Sequence, residues 1–66
     1  KIILKAVDEL PAYLRKVIIL YEFEEKSYKE IADKLKIAEG TVKSRLFNAR
    51  KILAQKLSFL KEKNND

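Results

Sequence analysis

The stretch that most constrains this chain is Ser27–Arg50, SYKEIADKLKIAEGTVKSRLFNAR, because two helix signatures stand there with almost nothing between them. Ser27-Tyr28-Lys29-Glu30 has the form of a capping box. The serine accepts from the third helical N–H and the glutamate reaches back to the serine N–H. Tyr28, Ile31, Ala32 and Leu35 then recur at i, i+3, i+4 and i+7, one buried helical face, with Lys29, Asp33 and Lys34 outside it. Lys36-Ile37-Ala38 interrupts the pattern as a turn, with Ile37 plugging the junction. From Glu39 a second period begins, Val42, Leu46, Ala49, Leu53, Leu57 and Leu60, in three- and four-residue steps. Two helices joined by a three- or four-residue turn, the second with a polar basic face, form the helix-turn-helix that sets a helix into the DNA major groove.

Upstream, Ile2, Ile3, Ala6, Val7 and Leu10 keep helical spacing, and Pro11 ends that helix because the residue before proline is pushed out of the α region. Pro11 also suits the first turn of the next helix. There Leu14, Val17, Ile18 and Tyr21 make one stripe, which Tyr13, Ile19, Leu20 and Phe23 widen beyond what a surface helix needs. Two explanations stay open: a central helix packed on several sides, or a groove for a partner at Val17, Ile19 and Leu20. Glu22-Phe23-Glu24-Glu25-Lys26 reads as a helix end and loop, its carboxylates solvated and away from any phosphate. The spacing predicts helices over about 1–9, 11–23, 28–35 and 39–63, an all-α four-helix domain, with Asn64-Asn65-Asp66 frayed. The chain shows no internal repeat, low-complexity segment or interdomain linker.

Length and charge narrow the function. Sixty-six residues leave room for one domain. Having neither cysteine nor histidine, the chain lacks disulfides, thiolates, ordinary zinc ligands and the usual general base. We therefore expect no enzyme, no metal and no cofactor. The net charge of +5 is unevenly spread. In residues 1–26 five basic and five acidic side chains cancel, whereas residues 27–66 carry ten basic against five acidic. A polyanion on one side fits this distribution, and so does a lysine-rich solubilising surface. No apolar run approaches a membrane span, and no signal-peptide pattern opens the chain. The chain begins at Lys1 and holds no methionine, so we expect a domain excised from a longer protein.

A recognition helix needs small residues for close approach, free N–H groups for a phosphate, and polar side chains that reach base edges. Glu39-Gly40-Thr41-Val42-Lys43-Ser44-Arg45 offers all three. Gly40 costs about 1 kcal/mol against alanine within a helix; it serves close approach or simply tolerates a turn. Lys43 and Arg45 reach phosphates or pair with guanine. Glu39 accepts from a cytosine amino group or favours the helix dipole. Thr41 and Ser44 donate to phosphate or touch a thymine methyl. The outer face also holds Phe47, Asn48 and Lys51.

Leu10-Pro11, Arg15, an apolar helix, Ser27-Tyr28-x-Glu30-Ile31-Ala32 and Gly40-Thr41-Val42-Lys43-Ser44-Arg45-Leu46-Phe47-x-Ala49-Arg50 together resemble region four of bacterial RNA polymerase sigma factors, of the extracytoplasmic-function (ECF) class. The resemblance covers roughly residues 3–57. It implies a four-helix domain that reads the −35 promoter element with its last helix, docks on the flap of the polymerase β subunit, and in many members is sequestered by an anti-sigma factor. Carried onto matching positions, it puts DNA contacts at Glu39, Gly40, Thr41, Lys43, Ser44 and Arg45, with Arg50 on the backbone and Lys29 on a phosphate from the supporting helix. It also implies a bacterial cytoplasmic, nucleoid-associated protein. Two departures stand out. Family members place glycine near Glu25, which suggests a different loop here, and Ala38 stands where a serine cap is frequent. Other readings are a LuxR-type response-regulator domain, whose usual histidine after Thr-Val-Lys is missing, and a sigma-like adaptor that binds only protein.

Overall fold

A computed structural model describes residues 2–64, with side chains described for residues 5–57. Lys1, Asn65 and Asp66, the side chains of Ile2 and Ile3, and that of Leu60 lie outside the described residues. The elements run α1 (Ile2–Asp8), α2 (Ala12–Ile18) continuing into a π-helical segment (Ile19–Phe23), α3 (Tyr28–Leu35) and α4 (Glu39–Asn64). Among the described residues there is no strand, and no helix is long and apolar enough to cross a membrane.

Each boundary has a local cause. Pro11 precedes α2 with ψ 148, an extended entry, and the carbonyl of Pro11 accepts from the N–H of Arg15 at 2.9 Å to start the helix. Arg15 fastens the corner, because its Nη1 donates to the carbonyls of Asp8 and Leu10, both at 3.1 Å. Those carbonyls lie where α1 runs out of internal donors. The capping box is complete: Ser27 Oγ accepts from the Glu30 N–H at 3.1 Å, and Glu30 Oε1 accepts from the Ser27 N–H at 2.8 Å. The Ser27 N–H donated to the carboxylate favours its ionised form, so the Glu30 pKa is lowered, chiefly by that bond and further by the Ser27 side chain. Lys36 ends α3 in the left-handed region (φ 60, ψ 47), and Ile37 donates to the Ala32 carbonyl at 3.0 Å while packing on the core.

The loop before α3 corrects one expectation. Glu25 has φ 58, so the positive φ that favours glycine is kept without glycine. The loop is held from outside the residue: Lys26 donates to the Leu20 carbonyl at 3.0 Å and closes the turn.

The core is Ala6, Val7, Leu10, Leu14, Val17, Ile18, Leu20, Ile31, Ala32, Val42, Leu46 and Ala49, drawn from all four helices. Helices α1, α2 and α3 all pack on α4. The wide apolar stripe of residues 13–23 is therefore explained in part by a central helix. The π segment supplies the rest. Its wider turn, seen in the Glu24 N–H reaching the Ile19 carbonyl at 3.1 Å, shifts the helical register. Leu20 stays in the core while Tyr21 and Glu22 come round to face α4. The proposed partner residues are corrected accordingly. Val17 (0% exposed) and Leu20 (6%) are core and offer no surface, and Ile19 is half-buried against the same cluster. The exposed apolar residues near them are Tyr13 and Phe23.

Candidate nucleic-acid interface

Helix α4 is seated by Val42, Leu46 and Ala49, which are at most 1% exposed. With the buried side fixed, the helical period decides where every other side chain points. Gly40, Ser44, Phe47, Asn48 and Lys51 are exposed and lie round the side away from the core. Thr41 is half-buried at the edge of that face. Glu39, the first helical residue, is exposed at the mouth of the turn and places a carboxylate at the positive end of the helix. A Cβ built on Gly40 would meet nothing within 4 Å, so nothing inside the domain requires glycine there. The turn before α4 ends in Ala38, whose carbonyl accepts from Val42 at 3.1 Å and whose side chain offers no cap.

The cations divide into two flanks. Two residues along a helix are about 160° apart, so Lys43 and Arg45 fall on opposite sides of α4. On the α3 side, Lys43 Nζ stands 5.6 Å from the centre of the Tyr28 ring. On the α2 side, the Arg45 guanidinium stands 5.4 Å from the centre of the Tyr13 ring. Arg50 joins Lys43 on the first flank, lying 5.1 Å over Tyr21 and donating from Nε (3.2 Å) and Nη2 (2.8 Å) to Glu22 Oε2. That carboxylate raises the Arg50 pKa above its already high ordinary value, so its charge is permanent at any working pH. Glu22 is thus an ion-pair partner rather than a freely solvated carboxylate, a correction to the sequence reading of this acidic segment. Glu24 and Glu25 are exposed.

Lys29, on the first turn of α3, is exposed and pairs loosely with Asp33 at 3.5 Å. An exposed i,i+4 pair contributes a few tenths of a kcal/mol, so Lys29 is available to another anion. At the far end of the domain Lys56 Nζ donates to Glu9 Oε1 at 3.1 Å and ties α4 to the end of α1. An open groove of about 780 Å³ runs along the α3 flank, lined by Tyr28, Lys43, Leu46, Phe47, Arg50 and Lys51.

Of the eight residues expected to meet DNA, the structure puts Gly40 and Ser44 on the exposed strip and Thr41 half-buried at its edge, with Lys43 and Arg45 to either side. Glu39 and Lys29 stand at the N-terminal ends of α4 and α3, and Arg50 lies two turns on in its ion pair. Phe47 and Asn48 lie on the same outer face without having been expected as contacts, and Lys51, expected with Arg50 at most on the flanking backbone, is exposed beside them. Phe47 is 67% exposed, the largest apolar exposure on that face. The Arg50–Glu22 pair spans 28 residues and carries no local sequence signal.

Comparison with known proteins points to one family. Residues 1–53 match the family described as sigma-70, region 4. An ECF RNA polymerase sigma-E factor of Escherichia coli K12 is 39% identical over 57 residues, which is 86% of this chain and 30% of that protein. The corresponding sigma-E factor of Salmonella typhimurium LT2 gives the same figures, and that of Haemophilus influenzae is 37% identical over the same length. The chain spans about 30% of the length of these relatives. A sigma-family match also decides against the LuxR-type alternative. On the helix-turn-helix, the match over residues 1–53 and the sigma-E relatives, the chain belongs to the sigma-70 region 4 family, in its ECF class.

Proposed function

We propose that this chain is the promoter-recognition domain of a sigma factor in transcription initiation, and that α4 reads the −35 element in the major groove. The observation that carries this reading is the exposed strip of α4, Gly40, Ser44, Phe47, Asn48 and Lys51, with a cation on each flank. A helix entering the major groove presents one face to base edges and has a phosphate backbone to each side. Lys43 and Arg45 suit the two backbones. Ser44, Asn48 and Phe47 suit the bases: serine and asparagine by hydrogen bonds, phenylalanine by contact with a thymine methyl. Glu39 accepts from a cytosine amino group, Thr41 donates to a phosphate, and Gly40 lets the duplex come close. Lys29 meets phosphate from the supporting helix. Arg50 does so by exchanging Glu22 for a phosphate, since its ion pair is about half exposed and such pairs contribute little.

Docking on the flap of the polymerase β subunit, and capture by an anti-sigma factor, belong to the same proposal. With Val17 and Leu20 in the core, the surface available for a protein partner is Ile19 with the neighbouring Tyr13 and Phe23. Action as one domain of a longer bacterial cytoplasmic protein follows from the same reading.

Selection from a random duplex library, followed by anisotropy titration of the enriched sequences at several salt concentrations, tests the DNA reading. One short enriched motif is expected, bound more weakly by Lys43→Ala and by Arg45→Ala, with each lost phosphate contact lowering the salt slope by about 1. Unchanged affinity in both variants removes α4 from the interface. Salt-steep binding with no enriched motif removes base reading by this domain alone.

A further inference from the structure

The chain has three tyrosines, and each lies under one of the cations of α4. Tyr28 is under Lys43, Tyr21 under Arg50 and Tyr13 under Arg45, at 5.1–5.6 Å from cation to ring centre. Tyr21 and Tyr28 also touch each other, with ring centres 5.3 Å apart and planes inclined by 32°. One flank of α4 is therefore a continuous ladder, Lys43, Tyr28, Tyr21, Arg50 and Glu22. These rings come from three different places: the first turn of α2, the π segment and the first turn of α3.

We propose that Tyr28, Tyr21 and Tyr13 are positioning residues that hold Lys43, Arg50 and Arg45 in the directions in which they meet phosphates. The inference rests on the DNA reading of α4 given above and adds a cause for its geometry. Long cationic side chains lose much rotamer freedom when they engage a phosphate. A ring face that attracts the cation beforehand removes part of that loss without neutralising the charge. For Lys43 and Arg45 the attraction is to the π cloud, so it takes up none of the N–H donors that a phosphate needs. Glu22 acts differently. It occupies two donors of Arg50 and must give way. The π segment matters here because its register shift brings Tyr21 and Glu22 to the same side as Arg50.

The test is anisotropy titration of the 66-residue chain with a duplex of random sequence at several salt concentrations, which reads phosphate contacts without needing base recognition. Tyr28→Leu is expected to weaken binding about two- to five-fold, the size of an exposed cation–π contact. Tyr28→Phe, which keeps the ring, is expected to restore the affinity. In a Lys43→Ala background Tyr28→Leu should then change nothing further, since the cation it positions is gone. Tyr13→Leu against Arg45→Ala repeats the cycle on the other flank. Tyr13 is 52% exposed, so this arm decides the matter if Tyr28→Leu lowers the melting temperature sharply. Losses that add in the double variants, a phenylalanine variant as weak as the leucine one, or tighter binding on removal of a ring would each overturn the positioning role. Silent Lys43→Ala and Arg45→Ala variants would instead overturn the DNA reading itself, which separates the two failures.

Discussion

Helices α3 and α4 both begin after a short irregular stretch, and they begin in opposite ways. The start of α3 is closed upon itself. Ser27 and Glu30 satisfy each other's backbone N–H groups, and Tyr28 lies against Tyr21. The start of α4 has Ala38, which offers no cap, then Glu39 and Gly40, both exposed. Both helices are anchored in the core, α3 by Ile31 and Ala32 and α4 by Val42, Leu46 and Ala49. The contrast lies in their first turns. A supporting helix gains from an internally completed terminus. A recognition helix gains from small residues and N–H groups left for a phosphate, at a cost in stability of about 1 kcal/mol for the missing cap.

Four measurements would sharpen this contrast or break it. The largest effect is expected at the shared anchor. Ile31→Ala should cost about 2–5 kcal/mol, measured by thermal or denaturant melts, because Ile31 is fully buried and the site cannot collapse without moving α4. A loss below about 1 kcal/mol would mean that α3 is not held from the core and that its cap matters more than supposed.

Next come the two caps, exchanged. Ser27→Ala should lower stability by about 1 kcal/mol, and Ala38→Ser should raise it by a similar amount. DNA affinity should fall in Ala38→Ser, whose hydroxyl takes an N–H left for a phosphate, and in Ser27→Ala by no more than the change in folded fraction. If Ala38→Ser gave no gain, the first turn of α4 would already have its donors satisfied and the contrast would fail.

Gly40→Ala is expected to raise stability by up to about 1 kcal/mol, since its Cβ meets open space and alanine is the better helix former. If the glycine serves close approach, the same variant binds DNA more weakly. A higher melting temperature with unchanged DNA affinity would leave Gly40 without a role at the duplex.

The smallest effect is the pH dependence of the α3 cap. The Glu30 pKa is lowered in the folded state by its bonds to Ser27. A depressed carboxylate pKa contributes stability that is present above the unfolded value, about 4.3, and lost as pH falls through the folded value. The melting temperature should therefore fall more on acidification below about pH 4.3 in the parent than in Glu30→Gln. Parallel curves would show that the capping-box carboxylate contributes nothing measurable in solution.

Much of this was legible in the linear sequence, for a reason specific to helices. Capping boxes and i, i+3, i+4 stripes are local, so Ser27, Glu30 and the buried positions Ile31, Ala32, Val42, Leu46 and Ala49 could be read in place. The outer strip of α4 followed as the complement of its buried side. The breadth of the apolar run from Tyr13 to Phe23 was legible, but its meaning was not. Central packing and a partner groove produce the same pattern, and the π turn that reconciles them has no sequence marker of its own. Glu25 misled for a related reason. A positive φ is usually read from glycine, yet here the loop holds a glutamate in that conformation through the Lys26 bond to Leu20.

The sequence by itself thus determined the four helices, the buried faces of α3 and of the first turns of α4, and the face of α4 left to solvent, because those are set by neighbours three and four residues away. Tertiary structure alone decided which side chains meet the cations of that face. Tyr13, Tyr21, Glu22 and Tyr28 reach Arg45, Arg50 and Lys43 from other helices. Their meeting depends on how α2 and α3 lie across α4, and on a one-residue change of helical register that no local period records.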